Sequence, residues 1–316
     1  MTLPRLKDLK DPEVSPVLEK VFGATAPAEK RLKVAKFLCV LPLIFSGCFE
    51  KVKVQTTPVG DIKIAYKIYG HGEPLIMIMG FSGTMDFWDA RAIKKLAEHY
   101  QVIVFDNRGM GLTSDSPKEY TIKLFADDTA GLMKAIKIKC AHILGWSMGT
   151  NIAQELVLDY PEMTDKLILY AADPGGQEAI QPIPEVMQKL NDTSGTTRER
   201  GLRSLAILFP EKWLQAHPDI NKYFPKVTET ASPQNVDRQA QAMATWTGSF
   251  SRLKQIKSPT LIITGTEDIL TPPENSPIIA KRILKANLVE IPGGGHGLMY
   301  QEPDKFSQIV LDFLKE

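Results

Sequence analysis

Gly145-Trp146-Ser147-Met148-Gly149 follows the apolar run Ala141-His142-Ile143-Leu144 and precedes Asn151 to Tyr160, where apolar residues recur at helical spacing. The pattern is strand, tight turn, helix. A G-x-S-x-G at such a junction holds its serine in a strained turn with the hydroxyl pointing outward. Gly145 and Gly149 have no β-carbon, so strand and helix can close on the turn from both sides. Ser147 then stands at the positive end of the following helix, and the Met148 backbone N–H is free to meet a developing oxyanion. Ser147 is the candidate nucleophile and Met148 one candidate oxyanion donor.

Working outward, the same rhythm repeats. Lys51 to Thr56 and Ile62 to Tyr69 alternate apolar and polar residues around a Pro58-Val59-Gly60-Asp61 turn, as an antiparallel pair at a sheet edge would. Leu75 to Met79, Val102 to Phe105 and Leu167 to Tyr170 are continuous apolar runs, expected of strands covered on both faces. A helix is expected over Thr121 to Ile136, with Thr121 as its N-cap. From Asp173 to about Lys254 no strand pattern appears. Helical pieces at Glu185–Leu190, Arg200–Leu208 and Val236–Phe250 are separated by prolines. Strands resume at Leu261–Thr264 and Leu288–Ile291, and a closing helix carries Phe306, Ile309, Val310 and Phe313 on one face. The fold class expected is α/β, with a mostly parallel central sheet of about eight strands, helices on both faces, and a helical lid between strands six and seven. Its segments are a leader over 1–50, a core over 51–172 and 255–316, and a lid over 173–254.

A nucleophilic serine needs a base, and the base an orienting acid. Of five histidines, His71 precedes a strand, His99 ends a surface helix, His142 lies inside a strand and His217 falls in the lid. His296, in Gly293-Gly294-Gly295-His296-Gly297, directly follows the last strand, at the edge where ligand sites of such sheets lie. The acid should follow the strand between serine and histidine. Gly265-Thr266-Glu267-Asp268 fills that loop: Asp268 is the choice, Glu267 the alternate, and Asp173, after the preceding strand, a second location. The order Ser147, Asp268, His296 is the one this architecture requires. The second oxyanion donor should come from the loop after Met79, where Gly80 permits close approach and Phe81 offers its N–H.

These motifs, with Met79-Gly80-Phe81-Ser82-Gly83 and Asp106-Asn107-Arg108-Gly109-Met110-Gly111, resemble the α/β-hydrolase superfamily over roughly Lys51 to Glu316. The resemblance implies a serine hydrolase acting on a small or medium carboxylic ester or lactone, with no metal and no cofactor. It implies that Arg108 is structural. Many relatives carry His-Gly where this chain has Met79-Gly80, which leaves open what orients the oxyanion loop. Perhydrolysis, carbon–carbon bond hydrolysis and aminopeptidase action share such a triad, and some relatives are non-catalytic small-molecule receptors. Leu205, Ile207, Leu208, Phe209, Trp213, Leu214, Met243, Trp246 and Phe250 of the lid are candidates for an apolar acyl pocket.

Composition bounds the rest. With 43% hydrophobic and 24% charged residues the chain is of globular type, and a net charge of +1 without a basic, aromatic-rich patch argues against nucleic acid as a partner. No Cys/His cluster has zinc spacing. Lys30 to Lys36 is basic, Phe37 to Phe45 apolar, and Ser46-Gly47-Cys48 follows, an order resembling a bacterial lipoprotein signal. Phe45 departs from the usual leucine, and the signal begins some thirty residues in, which would require a start nearer Lys30. The expectation is a chain tethered at the cell envelope through lipid on Cys48, its domain in water, with a cytoplasmic protein as the alternative. Cys140 would then be the domain's only thiol, excluding a disulfide.

Overall fold

The computed structural model describes residues 52–316 apart from 193, 224, 226–228 and 230. The leader and Cys48 lie outside the described residues.

Eight strands form one sheet: β1 (Gln55–Val59), β2 (Ile62–Tyr69), β3 (Pro74–Ile78), β4 (Gln101–Phe105), β5 (Ala141–Trp146), β6 (Thr164–Tyr170), β7 (Thr260–Gly265) and β8 (Ala286–Ile291). Their order is β1-β2-β4-β3-β5-β6-β7-β8. β1 and β2 pair antiparallel with each other, β2 is antiparallel to β4, and every later pairing is parallel. The central strands are apolar throughout because both faces are covered. Ile76, Ile78, Ile103 and Ile143 belong to the core on one face, and Leu75, Met77, Val102 and Leu144 to the core on the other. Each strand splits its side chains by the period of two.

Helices α1 (Ala90–Ala97), α2 (Ile122–Ala135) and α3 (Met148–Asp159) connect the strands. As expected, Thr121 caps α2, its hydroxyl accepting from Leu124 N–H at 3.0 Å. Between β6 and β7 come α4 (Pro184–Asn191), α5 (Thr197–Leu208), α6 (Glu211–Ala216) and α7 (Pro233–Thr245). This is the helical insertion the sequence implied. α8 (Asn275–Ala280), α9 (Leu298–Gln301) and α10 (Pro303–Lys315) complete the chain.

Some boundaries differ from the sequence reading. β1 takes in Pro58 and Val59, and only Gly60 and Asp61 turn, with Gly60 at φ +55°. Proline is tolerated there because β1 is an edge strand. α7 stops at Thr245 instead of continuing to Phe250, since Gly248 at φ +86° turns the chain and Ser249 N–H donates to Pro174 O at 2.8 Å. That bond closes a narrow neck, where a β-carbon on Gly248 would lie 2.6 Å from the carbonyl carbon of Gly175. α6 and α8 were not foreseen; each follows proline and is too short for a periodic signal.

Helix α3 anchors both ends of the insertion. Gln154 Nε2 donates to Asp173 O at 3.0 Å and Gln154 Oε1 accepts from Ser249 Oγ at 2.6 Å. Glu155 accepts from Trp246 Nε1 at 2.7 Å and from Arg252 Nη1 at 2.8 Å. Among the described residues no helix is long and apolar enough to cross a membrane.

Candidate active site

The turn between β5 and α3 holds Ser147 at φ 55° and ψ −125°. A non-glycine residue there carries strain of about 1–3 kcal/mol, which surrounding structure must enforce. The enforcement is visible in the glycines. A β-carbon on Gly145 would lie 2.3 Å from Gly149 O, and one on Gly149 would lie 2.1 Å from Ile78 O. Ser147 N–H is fixed by Tyr170 O at 3.0 Å, and Ser147 O accepts from Thr150 N–H at 2.7 Å.

The loops after β7 and β8 interlock. A β-carbon on Gly265 would sit 2.2 Å from Gly294 O, and Glu267 N–H donates to Gly294 O at 2.8 Å. This contact brings Asp268 and His296 together, with Asp268 Oδ2 2.9 Å from His296 Nδ1. Both residues are buried, at 2% exposure each. The other carboxylate oxygen, Oδ1, accepts from Leu270 N–H at 2.9 Å and Thr271 N–H at 2.8 Å, so Asp268 turns a single face to the imidazole. The His296 carbonyl accepts from Tyr170 Oη at 2.6 Å and from Trp146 Nε1 at 3.2 Å. The Trp146 ring lies 5.7 Å from the His296 ring. Ser147 and His296 share no hydrogen bond among the described residues; the adjacent Trp146 links their loops.

The alternate acids are placed otherwise. Glu267 is exposed. Asp173 accepts from Gly175 N–H at 2.8 Å through Oδ1, and burial pushes its carboxyl above the ordinary value. His71 and His99 are exposed, His142 is buried among strands, and His217 stacks on Trp213 in the insertion. Arg108 is structural, buried with its guanidinium on Asp128, Asp61 and Ser116.

The loop after β3 packs against the serine turn. A β-carbon on Gly80 would meet Ser147 Cβ at 3.1 Å and Met148 N at 3.7 Å, so only glycine permits this approach. Among the described residues, neither Phe81 nor Met148 offers its backbone N–H to an acceptor. Met148 is the first helical residue, whose N–H has no intrahelical partner. Three side chains hold this loop. Asn107 Nδ2 donates to Met79 O at 3.0 Å, Asp106 Oδ1 accepts from Met85 N–H at 2.7 Å, and Gln239 Oε1 accepts from Ser82 N–H at 2.8 Å. Burial raises the Asp106 carboxyl to about 6, against the hydrogen bonds from Met85 and Leu112 that favour its charged form. Sequence reasoning missed the loop roles of Asn107, Asp106 and Gln239. The first two sit in the glycine-rich turn Asp106 to Gly111, which the motif pattern picks out; Gln239 carries no sequence signal.

Eight of the nine apolar insertion residues divide between two places, and the ninth, Ile207, is buried outside both core clusters. Phe209 is buried on the histidine loop, where a β-carbon on Gly297 would lie 2.6 Å from its ring. Leu205, Leu208, Trp213 and Leu214 pack on that same side of the sheet. Met243, Trp246 and Phe250 pack on the other side with Phe81. Trp246 is engaged by Glu155, and Arg282 lies over the Phe250 ring at 4.2 Å.

This arrangement has known counterparts. A family model described as the alpha/beta hydrolase fold matches residues 73–303. The chain belongs to the α/β-hydrolase fold family. It is 27% identical to a putative carbamate hydrolase of Serratia proteamaculans (strain 568), over 79% of this chain and 95% of that protein. It is 28% identical to a putative non-heme bromoperoxidase of Mycobacterium tuberculosis (strain ATCC 25618 / H37Rv), over 80% of this chain and 97% of that one. An α/β-hydrolase fold protein from Chitinophaga pinensis shares its structure with a TM-score of 0.73 at 26% identity, covering 84% of this chain and 98% of the other. Family and relatives together make this α/β-hydrolase an enzyme of the hydrolase class.

Proposed function

We propose that this α/β-hydrolase cleaves small or medium carboxylic esters or lactones through an acyl-enzyme, with Ser147 as nucleophile, His296 as base and Asp268 as orienting acid. The observation that carries this reading is the buried Asp268–His296 hydrogen bond beside a serine held at positive φ. Ser147 Oγ attacks the substrate carbonyl while His296 Nε2 takes its proton. Asp268 Oδ2 accepts from Nδ1–H, fixing the tautomer and stabilising the imidazolium. The N–H groups of Phe81 and Met148 receive the oxyanion. His296 then returns the proton to the leaving oxygen, and water repeats the sequence on the acyl-enzyme. In a lactone the leaving oxygen stays tethered to the acyl group. Phe209 and its apolar neighbours over the histidine loop suit an uncharged acyl chain.

Perhydrolysis on the same triad is the second reading, favoured by the likeness to a protein named as a non-heme bromoperoxidase. The test is labelling with a fluorophosphonate, mapping of the modified residue, and turnover of a panel of p-nitrophenyl esters and lactones, with and without peroxide. Modification at Ser147 with ester or lactone turnover is the expected result. A label elsewhere, or no turnover on any ester or lactone, would overturn the proposal.

We also propose that the chain is held at the cell envelope by lipid on Cys48. The ordered basic, apolar and Ser46-Gly47-Cys48 sequence supports it. The intact mass of the membrane fraction should show a chain beginning at Cys48 with added acyl mass. A soluble chain keeping Met1 to Gly47, unchanged by Cys48→Ala, would return the protein to the cytoplasm.

A further inference from the structure

Strands β5 and β6 end side by side, and the last residue of each carries a side-chain hydrogen-bond donor. Their register pairs Trp146 with Tyr170, so the two side chains leave the sheet on the same face and join the same core. There the rings stack, with centroids 5.8 Å apart and planes 8° from parallel. Trp146 Nε1 and Tyr170 Oη both donate to one acceptor, the His296 carbonyl, at 3.2 and 2.6 Å. A carbonyl oxygen has two lone pairs, and the two donors use both.

Tyr170 makes a second tie. Its Oη accepts from Met299 N–H, in the first turn of α9, at 3.2 Å. Both partners of the hydroxyl therefore lie on the segment that carries the base. Phenylalanine would fill the same space between Trp146 and Phe306; what the hydroxyl adds is a hold on that segment. Burial keeps the phenol far above its ordinary value, so Oη retains its proton and remains a donor. The Tyr170 backbone carbonyl meanwhile accepts from Ser147 N–H at 3.0 Å. One residue is thus bonded to the nucleophile through its main chain and to the base through its side chain. Trp146 is joined to Ser147 by the peptide bond itself.

We infer that Tyr170 and Trp146 are positioning residues of the reaction: their hydroxyl and indole N–H hold the main chain of His296 at a set distance from Ser147, and so keep the imidazole within reach of the serine hydroxyl. This rests on the proposed serine mechanism. The carbonyl carbon they hold is bonded to the His296 Cα that carries the imidazole, so displacing the one displaces the other. Asp268 orients the ring through Nδ1, and the pair fixes where the ring is rooted. A misplacement of about 1 Å can cost roughly 10²-fold in rate. Tyr170 is 0% and Trp146 5% exposed, so neither offers substrate much surface, and their loss should fall on kcat and spare KM.

The experiment compares Tyr170→Phe, Trp146→Phe and the double variant. It measures kcat and KM per fluorophosphonate-reactive site on p-nitrophenyl acetate and butyrate, together with Tm. Tyr170→Phe removes one oxygen and keeps the ring and the backbone bond to Ser147. It should lower kcat about 10-fold on both esters, with KM within about twofold. Trp146→Phe should lower kcat about 3–10-fold, its bond being the longer. In each single variant the remaining donor still holds the carbonyl, so the double variant should lose more than the product of the two losses. A purely structural pair would show a lowered Tm with unaltered kcat per labelled site, and that overturns the inference. So does a loss confined to butyrate, which would assign the pair to the acyl pocket, or a double variant no slower than the product, which would make the two bonds independent. If Tyr170→Phe does not fold, Trp146→Phe decides: an equal loss on both esters supports the inference, and an unaltered kcat overturns it. A parent protein that takes no label and turns over neither ester removes the serine mechanism and the inference with it. A labelled, active parent with unaltered variants removes the inference alone.

Discussion

The two halves that meet at the candidate site are built differently. The sheet-borne half is held by backbone contact: glycine against carbonyl at Gly145, Gly149 and Gly265, and ladder-like hydrogen bonds between the loops of β7 and β8. The insertion is held by side chains reaching across, Gln239 to the oxyanion loop, Arg238 to Asp115, and Trp246 and Arg252 to Glu155. It also leaves apolar residues in water, with Ile183 63% and Leu202 56% exposed. Backbone packing fixes geometry to a fraction of an ångström, which bond-making chemistry needs. Side-chain ties over sparse burial open locally at lower free energy, which substrate entry needs. The proposed reacting groups sit on the first kind of structure, and the apolar groups proposed for the acyl chain on the second.

The largest test of that division is Ser147→Ala. Ester turnover should fall roughly 10⁵–10⁶-fold, the residue being the oxyanion hole and binding alone, while urea unfolding is little changed. Unaltered turnover would remove Ser147 from the chemistry. Next, Asp268→Asn should lower kcat about 10³–10⁴-fold, because the amide favours the wrong His296 tautomer. Asp173→Asn, on the insertion's side of the boundary, should leave kcat within a few-fold; the reverse ranking would move the acid to Asp173.

Two further measurements sharpen the contrast through charge. Asp106, under the oxyanion loop, is raised to about 6 by burial. Its folded value exceeds its unfolded one, so the stability it contributes is complete below about pH 4 and is lost as pH rises through about 6. Asp106→Asn should flatten that segment of a urea stability curve, worth about 3 kcal/mol; an equally steep slope in the variant would assign it to other groups. The smallest effect concerns Arg252→Met. Glu155 is 6% exposed and its partner Arg252 35% exposed, so stranding the carboxylate should cost only about 1 kcal/mol after solvent screening. The cost should appear as faster proteolysis within the insertion, without a change in kcat. A loss of kcat instead would show that the insertion's anchorage reaches the chemistry.

The sequence made much of the sheet-borne half legible, since buried parallel strands are uninterrupted apolar runs and loops after strands are short. The sequence favours Asp268 over Glu267, and the structure shows the physical difference between them, with Asp268 buried on His296 and Glu267 facing solvent. The insertion resisted reading. Its helices carry few buried positions, and α6 has only six residues. Its apolar residues look alike in sequence, yet Phe209 covers the histidine loop while Trp246 is a strut against α3. Gln239 meets Ser82 across 157 residues, a pairing no local pattern encodes.

The neck at Pro174 and Ser249 carries one more consequence. Because Ser249 N–H meets Pro174 O, the chain leaves and re-enters the core at two adjoining residues, so the length of chain between them is constrained little by the neck itself. Closing a loop twice as long at the same neck costs only about 0.6 kcal/mol more. A graft cut at Gly175 and Gly248 would therefore close readily, but it would have to resupply the Gln239 bond to Ser82 and the Phe209 cover of the histidine loop to leave the site as it is.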